Sequence, residues 1–216
     1  MWMEGSTSGV YRMWFQHMDI NRIPFYQYNT IIVGTGAAGL NAAVTLHKLG
    51  QKNIALITEG RYMGTSRNTG SDKQTYYKLT QCGSEPDSVR KMAETLFDGG
   101  CVDGDIAMAE AAGSLRAFYH LVDIGVPFPF NKSGEYVGYK TDHDPLKRGI
   151  SAGPLTSKYM TECLERQAEE RGIPFFDGYQ AVRLLTEEKD GEKRAAGIIA
   201  LNKQKAASPD ERYAVF

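Results

Sequence analysis

Cysteine is scarce in this 216-residue chain, and the three cysteines that occur are far apart. Cys82, Cys101 and Cys163 form no C-x-x-C pair and have no histidine at the spacing of a metal site. An odd and sparse set of this kind indicates neither a disulfide framework nor a zinc centre. The pattern therefore predicts reduced thiols that act as small hydrophobes, no bound metal, and a cytoplasmic protein.

Long apolar runs and an excess of one charge are also lacking. No window reaches about 18 uninterrupted apolar residues, so no membrane-spanning segment is predicted. The first 28 residues lack a basic start, an apolar centre and a cleavage site, which argues against a signal peptide. We interpret residues 1–28 as an N-terminal extension that packs on the domain or on a partner. The net charge of −1 gives no support to a nucleic-acid partner.

Glycine, in contrast, is abundant, with 23 residues, and three of them form a G-x-G-x-x-G motif. The motif, GTGAAG at 34–39, follows the apolar run Thr30 to Val33 and opens a helical pattern over Ala37 to Leu49. A second apolar strand, Asn53 to Thr58, ends in Glu59. Such a unit binds a dinucleotide, because helix-start amides attract the pyrophosphate and the acid binds ribose hydroxyls. Glu59 would repel a 2′-phosphate, which disfavours NADP, but the spacing leaves FAD and NAD open.

The rest of the chain completes an α/β pattern. Helices are predicted over 86–98, 103–124 and 154–171, and short strands over 173–176, 181–185 and 196–201. Between these elements, about 61–83 and about 126–153 are predicted to be long loop insertions. The expected fold is a Rossmann-like, three-layer FAD/NAD(P)-binding domain over residues 29–216.

Several segments in a fixed order resemble the FAD-dependent oxidoreductases that include the flavoprotein subunits of fumarate reductase and succinate dehydrogenase, and L-aspartate oxidase. These segments are YNTIIVGTGAAGLNAAVTL, the loop GTSRNTGSDK, LVDIGVPFPFNKSGEY, and the run from GPLTSKYM to GIIALN. The resemblance covers about residues 28–201. It implies an FAD cofactor and hydride transfer to or from a small substrate, possibly a dicarboxylate, with a possible electron-transfer partner subunit.

The resemblance also implies which residues would contact FAD. The glycine turn would hold the pyrophosphate, Glu59 with Gly60 the adenosine ribose, the following loop the pyrophosphate and flavin, and a hairpin strand the adenine. The residues expected to contact the cofactor are Gly34, Gly36, Ala37, Ala38, Gly39, Glu59, Gly60, Thr65, Ser66, Gly70, Ser71 and Ala181.

Two departures from the family qualify the prediction. Family members that bind FAD covalently do so through a loop histidine, and this chain has no histidine between His47 and His120, so non-covalent FAD is expected. The sequence also stops where a strand begins, before the family's capping domain and its catalytic residues. The fold is therefore expected to be incomplete at the C-terminus, and no catalytic residue is predicted.

Other readings of the same residues stay open. The chain could be a non-catalytic nucleotide-binding module that needs a partner, or an NAD-dependent dehydrogenase domain, although the latter should lack the Ser/Gly loop and the late hairpin. Lys73, Lys147 and Arg148 are candidates to approach the flavin or a dicarboxylate. The run Asp142-His143-Asp144 is interpreted as a solvated loop, since three adjacent residues do not face one point in regular structure.

Overall fold

The computed structural model of the chain describes residues 22–71, 74–82, 84–142, 144–208 and 211–216. These residues form two compact units. The first contains the described residues up to Gly64 together with Arg171–Phe216, and the second contains Thr65–Glu170. Over the described residues, no helix is both long and apolar enough to cross a bilayer.

A parallel sheet forms the centre of the first unit. Its strands are β1 (Thr30–Val33), β2 (Ile54–Thr58) and β5 (Phe175–Asp177), in the order β1-β2-β5. Every residue of β2 is buried, as its uninterrupted apolar sequence requires of a strand covered on both faces. Helix α1 (Ala37–Lys48) connects β1 to β2 and buries Leu40, Ala43 and Val44. The predicted β-α-β unit is therefore present.

The first unit also holds an antiparallel sheet of β6 (Tyr179–Lys189), β7 (Glu192–Asn202) and β8 (Tyr213–Val215). Strands β6 and β7 are longer than the sequence predicts. Their turn contains Asp190 and Gly191, both with positive φ, as a tight hairpin turn requires. A 3-10 helix, Lys203–Lys205, follows β7 directly.

The described end of the predicted N-terminal extension packs on this sheet. The N–H of Tyr26 donates to the carbonyl of Val215 at 2.8 Å, and the N–H of Val215 donates to that of Pro24 at 2.9 Å. The Tyr26 ring stacks on Phe216 with centroids 5.0 Å apart. Residues 1–21 of the extension lie outside the described part of the chain.

The second unit is mainly helical. Its helices are α2 (Thr65–Asn68), α3 (Val89–Asp98), α4 (Gly104–Asp123) and α5 (Thr156–Glu170), beside a two-stranded antiparallel pair, β3 (Tyr76–Tyr77) and β4 (Gly149–Ile150). The segments predicted as loops thus carry α2, β3 and β4. Helix α3 starts later than predicted, because the cap is Ser88, whose hydroxyl accepts from the N–H of Lys91 at 3.1 Å.

The buried face of α4 differs in part from the predicted one. The sequence predicts an apolar side made of Ile106, Met108, Ala109, Ala112, Leu115, Phe118 and Leu121. Of these, Ile106 and Met108 are 62% and 44% exposed. The buried positions are Ala107, Ala111, Ser114, Phe118 and Leu121. Small alanines are buried there because α3 packs closely against α4, through Met92 and Ala93. Phe118 and Leu121 are buried as predicted, so the difference is confined to the first three turns of α4.

Candidate functional site

The glycine turn joins β1 to α1 by backbone contacts that only glycine permits. Gly34 has φ of +105° and donates its N–H to the carbonyl of Ile57 in β2 at 2.8 Å. A Cβ on Gly39 would lie 2.1 Å from the carbonyl oxygen of Gly34. The first glycine therefore makes the turn, and the third lets the helix pack directly on it.

Helix α1 begins at this turn in a form suited to an anion. Its N-cap is Gly36, with extended backbone (φ −75°, ψ 178°), and no side chain among the described residues caps it. The first turn contains no acidic residue, and Ala37 and Ala38 begin it with minimal side chains. The positive end of the helix dipole is thus presented without an internal carboxylate. These features fit a bound pyrophosphate.

Thr35, inside the motif, fixes the turn to the next strand end. Its side chain is 5% exposed, and its hydroxyl donates to the Thr58 hydroxyl at 3.1 Å and approaches the Arg61 carbonyl at 3.4 Å. Gly64 also approaches the turn, since a Cβ built on it would lie 3.6 Å from the Cα of Gly36. Thr35 stands at a position for which the G-x-G-x-x-G motif requires no particular residue. Only the parallel pairing of β1 with β2 places its hydroxyl against Thr58.

Glu59 and Gly60 follow β2 at the same sheet edge. The Gly60 N–H donates to the Thr58 hydroxyl at 3.4 Å. The Glu59 carboxylate forms an ion pair with Lys203, whose Nζ lies 2.8 Å from Oε1. Both side chains remain nearly half exposed, at 44% and 43%. The acid that the motif predicts therefore lies at the same sheet edge as the turn, and it is paired with a lysine that the motif does not contain.

The ends of β5 and the hairpin complete this edge. Asp177 Oδ1 accepts from the N–H of Arg61 at 2.8 Å and from that of Gly178 at 2.9 Å. The Arg61 guanidinium lies 4.2 Å from the centroid of the Phe175 ring. Ala181 is exposed in β6, pairs with Ala200, and immediately precedes a register shift. The first unit thus contains every predicted contact from Gly34 to Gly60, together with Ala181.

The other four predicted contacts lie together at the start of the second unit. Thr65 and Ser66 are in the single turn of α2, where the N–H of Thr69 bonds to the Thr65 carbonyl at 3.0 Å. The N–H of Ser71 donates to the carbonyl of Pro154 at 3.1 Å. A Cβ on Gly70 would approach that same carbonyl to 3.4 Å. This segment is therefore held by bonds within α2 and by contacts to Pro154, which precedes α5.

The cationic candidates divide into three cases. Arg148 is 1% exposed and is bonded to Asp87 and Asp144, so it is unavailable to a ligand. This occupancy corrects the expectation that it approaches a flavin or a dicarboxylate. Lys147 is exposed. Lys73 lies outside the described residues.

The Asp-His-Asp run is only partly as predicted. Asp144 is 7% exposed and accepts from the Leu146 N–H at 2.8 Å, which corrects the interpretation that it is solvated. His143 lies outside the described residues. Within the described part of the chain, no cluster of three or more His, Cys, Asp or Glu side chains could hold a metal ion. Cys82, Cys101 and Cys163 are free thiols.

Comparison with known proteins gives matches across nearly the whole chain. A family model described as an FAD binding domain matches residues 29–214. L-aspartate oxidase of Pseudomonas aeruginosa is 28% identical over 191 residues, which are 83% of this chain and 34% of that protein. The 8-methylmenaquinol:fumarate reductase flavoprotein subunit of Wolinella succinogenes is 33% identical over 179 residues, which are 81% of this chain and 29% of that protein. The chain spans about a third of the length of these curated relatives.

Solved structures show the same fold. Mycobacterium smegmatis Sdh1 superposes with a TM-score of 0.76 at 16% identity, over 90% of this chain and 33% of that one. E. coli quinol fumarate reductase FrdA gives 0.68 at 21% identity, over 83% of this chain and 30% of that one. These likenesses confirm the predicted α/β fold. The family match confirms FAD as the cofactor and resolves the choice between FAD and NAD that the motif spacing leaves open.

Proposed function

Because the chain belongs to the FAD-binding domain family, we propose that it holds FAD non-covalently as the flavin-binding part of an oxidoreductase. The observation that carries the proposal is the turn from β1 to α1. There, Gly34 has positive φ, Gly39 admits no Cβ, and the helix start at Gly36 has no capping side chain among the described residues. FAD supplies a centre that accepts or donates a hydride equivalent, and the protein supplies position and electrostatics.

The residues of the first unit would bind the nucleotide end of FAD. The backbone of Gly34, Gly36, Ala37, Ala38 and Gly39 would hold the pyrophosphate at the positive end of α1. Glu59, 20 positions after Gly39, would accept hydrogen bonds from the adenosine ribose, beside Gly60. The exposed backbone of Ala181 would meet the adenine.

The residues after Gly64 would bind the remainder of the cofactor. The chain passes directly from Gly64, which lies against Gly36, into Thr65 and Ser66. We assign these two residues, with Gly70 and Ser71, to the pyrophosphate and the flavin. The sequence between His47 and His120 has no histidine for a covalent link to FAD, which supports non-covalent binding.

A small carboxylate is the proposed substrate class. The two relatives are named for L-aspartate and for fumarate, both of which are small carboxylates. The second relative is named as a flavoprotein subunit, which supports an electron-transfer partner for this chain as well.

The test measures flavin bound to the purified chain, before and after unfolding. The protein should absorb in the flavin bands, or gain that absorbance on addition of FAD, and unfolding should release all the flavin into an ultrafiltrate. Flavin that stays with the unfolded chain would contradict non-covalent binding. A chain that folds but neither carries nor takes up FAD would overturn the proposal.

A variant separates loss of the site from loss of the fold. Gly36→Val places a side chain at the helix start, where the pyrophosphate would bind, so FAD binding should fall. The φ of −75° at this position is allowed for any residue, so the substitution adds no backbone strain. Gly113→Val is the control, because a Cβ on Gly113 has no neighbour within 4 Å. Far-UV circular dichroism should match among the three proteins, and only Gly36→Val should lose FAD.

A further inference from the structure

The ion pair between Glu59 and Lys203 links two segments that lie 144 residues apart in the sequence. We propose that Lys203 is a positioning residue for FAD, which orients the Glu59 carboxylate and offsets its charge beside the adenosine half of the cofactor. This inference rests on the proposed role of Glu59 in binding the ribose. It adds a residue that the glycine motif does not contain.

The backbone of Lys203 is fixed on both sides. Its N–H donates to the carbonyl of Gly178 at 2.8 Å. The preceding Asn202 is 9% exposed, and its Oδ1 accepts from the N–H of Gln204 at 3.1 Å. The Asn202 Nδ2 donates to the Tyr179 hydroxyl at 3.1 Å. The Lys203 side chain therefore extends toward Glu59 from an anchored point, which lowers the entropic cost of holding the pair.

Lys203 also changes the charge that a nucleotide meets. FAD carries two negative charges on its pyrophosphate, so a lone carboxylate near the ribose would repel it. The other acid at this edge, Asp177, is already held by the N–H groups of Arg61 and Gly178. Lys203 is the ammonium that the structure places on Glu59. It compensates the negative charge while leaving the second carboxylate oxygen, Oε2, to face a ribose hydroxyl.

The exposure of the pair favours a role in binding over a role in folding. Ion pairs between side chains as exposed as these contribute little to stability. A bound nucleotide would remove water from the pair and strengthen it. Loss of Lys203 should therefore weaken FAD binding by about threefold to tenfold, with little change in thermal stability.

The chain supplies a matched control in the same 3-10 helix. Lys205 pairs with Glu211 at 2.8 Å, and its side chain is also about half exposed. FAD titrations, followed by quenching of flavin fluorescence, should give a higher Kd for Lys203→Met and an unchanged Kd for Lys205→Met. Lys203→Arg should restore most of the affinity, because a guanidinium retains the charge. The effect of Lys203→Met should shrink at high salt.

A double-mutant cycle with Glu59→Gln tests the mechanism. If Lys203 acts through Glu59, Lys203→Met should have little further effect on Kd in the Glu59→Gln background. If Glu59→Gln weakens binding but Lys203→Met does not, or if the two effects simply add, the inference is overturned while the proposed function stands. If Glu59→Gln itself leaves Kd unchanged, the ribose assignment fails, and the role of Lys203 fails with it.

Discussion

Arg148 donates to both carboxylate oxygens of Asp87, from Nε to Oδ2 at 2.9 Å and from Nη2 to Oδ1 at 2.7 Å. Both side chains are 1% exposed, so the pair is fully buried in the second unit. The third nitrogen of the Arg148 guanidinium, Nη1, donates to the Thr95 hydroxyl at 2.9 Å and to the Tyr77 hydroxyl at 3.2 Å. One guanidinium thus joins the residue before the α3 cap and the second half of α3 to Tyr77 in β3.

Replacing this arginine should destabilise the second unit strongly. Arg148→Met leaves the Asp87 carboxylate buried without its cation, and the free energy of unfolding should fall by about 3–5 kcal/mol. Arg90→Met is the control, because Arg90 pairs with Glu94 on the surface of α3 at 83% exposure. Urea denaturation should show a large loss for the first variant and no measurable change for the second. Equal losses would contradict the prediction.

The same pair predicts how stability depends on acid. Burial raises the pKa of the Asp87 carboxyl. Hydrogen bonds from Arg148 and from the Thr80 and Ser88 N–H groups outweigh this effect, so the pKa lies below the usual 3.8. The unfolded chain then binds more protons than the folded one near and below that value. Stability from Asp87 is therefore complete above about pH 5 and is lost as the pH falls through the folded pKa.

Unfolding free energies measured from about pH 6 to about pH 2 check this dependence. Asp87→Asn should be less stable than the wild type at neutral pH, because it removes the charge that Arg148 contacts at 2.7 Å and leaves the guanidinium only the longer contact to Asp144 at 3.4 Å. The difference between the two proteins should shrink as the pH falls. A constant difference over this range would show that Asp87 does not keep its charge in the folded state.

Lys78 is a buried cation that has no acidic partner among the described residues. It is 1% exposed, and its Nζ donates to the Leu79 carbonyl at 3.3 Å and lies 4.9 Å from the centroid of the Phe118 ring. None of the described carboxylates pairs with it. Burial lowers the pKa of the amine below its usual 10.5, and nearby Cys82 only partly opposes the shift.

Lys78→Met should therefore stabilise the protein at pH 7, by about 1 kcal/mol. In the wild type the unfolded chain binds more protons between the lowered pKa and 10.5, so stability should rise with pH in that window. The variant should lose that rise. Measurements should stop near pH 9.5, before the tyrosines titrate. Exposed Lys91, which donates to the Pro86 carbonyl at 3.1 Å, gives the control Lys91→Met, which should keep the slope.

Alanine substitution should change the free energy of unfolding in opposite directions at two helical glycines, Gly39 in α1 and Gly113 in α4. Gly39→Ala would put a Cβ 2.1 Å from the Gly34 carbonyl oxygen, which forces α1 away from β1. The free energy of unfolding should fall by at least about 2 kcal/mol. Gly113→Ala in α4 meets open space and should raise it by about 0.5–1 kcal/mol. Thermal melts of both variants check the contrast, and a neutral Gly39→Ala would argue against the close approach.

The sequence predicted well where a local rule governs the structure. Strand β2 is a buried apolar run, the glycine motif requires positive φ at Gly34 and no Cβ at Gly39, and the hairpin turn uses Asp190 and Gly191. These features depend on neighbours within a few residues. They predict a dinucleotide-binding α/β fold and leave FAD and NAD open, whereas FAD is implied by the resemblance to flavoproteins. The comparisons confirm both the fold and FAD.

By itself, then, the sequence determined the β-α-β unit, its glycine turn and the acid after β2, because backbone sterics and hydrophobic period act locally. Only the tertiary structure decided the partners of charged residues. It buried Arg148 on Asp87, left Lys78 without an acid among the described residues, and placed Lys203 on Glu59. These residues are far apart in the chain, and the strand and helix packing that brings them together leaves no periodic signal in the sequence.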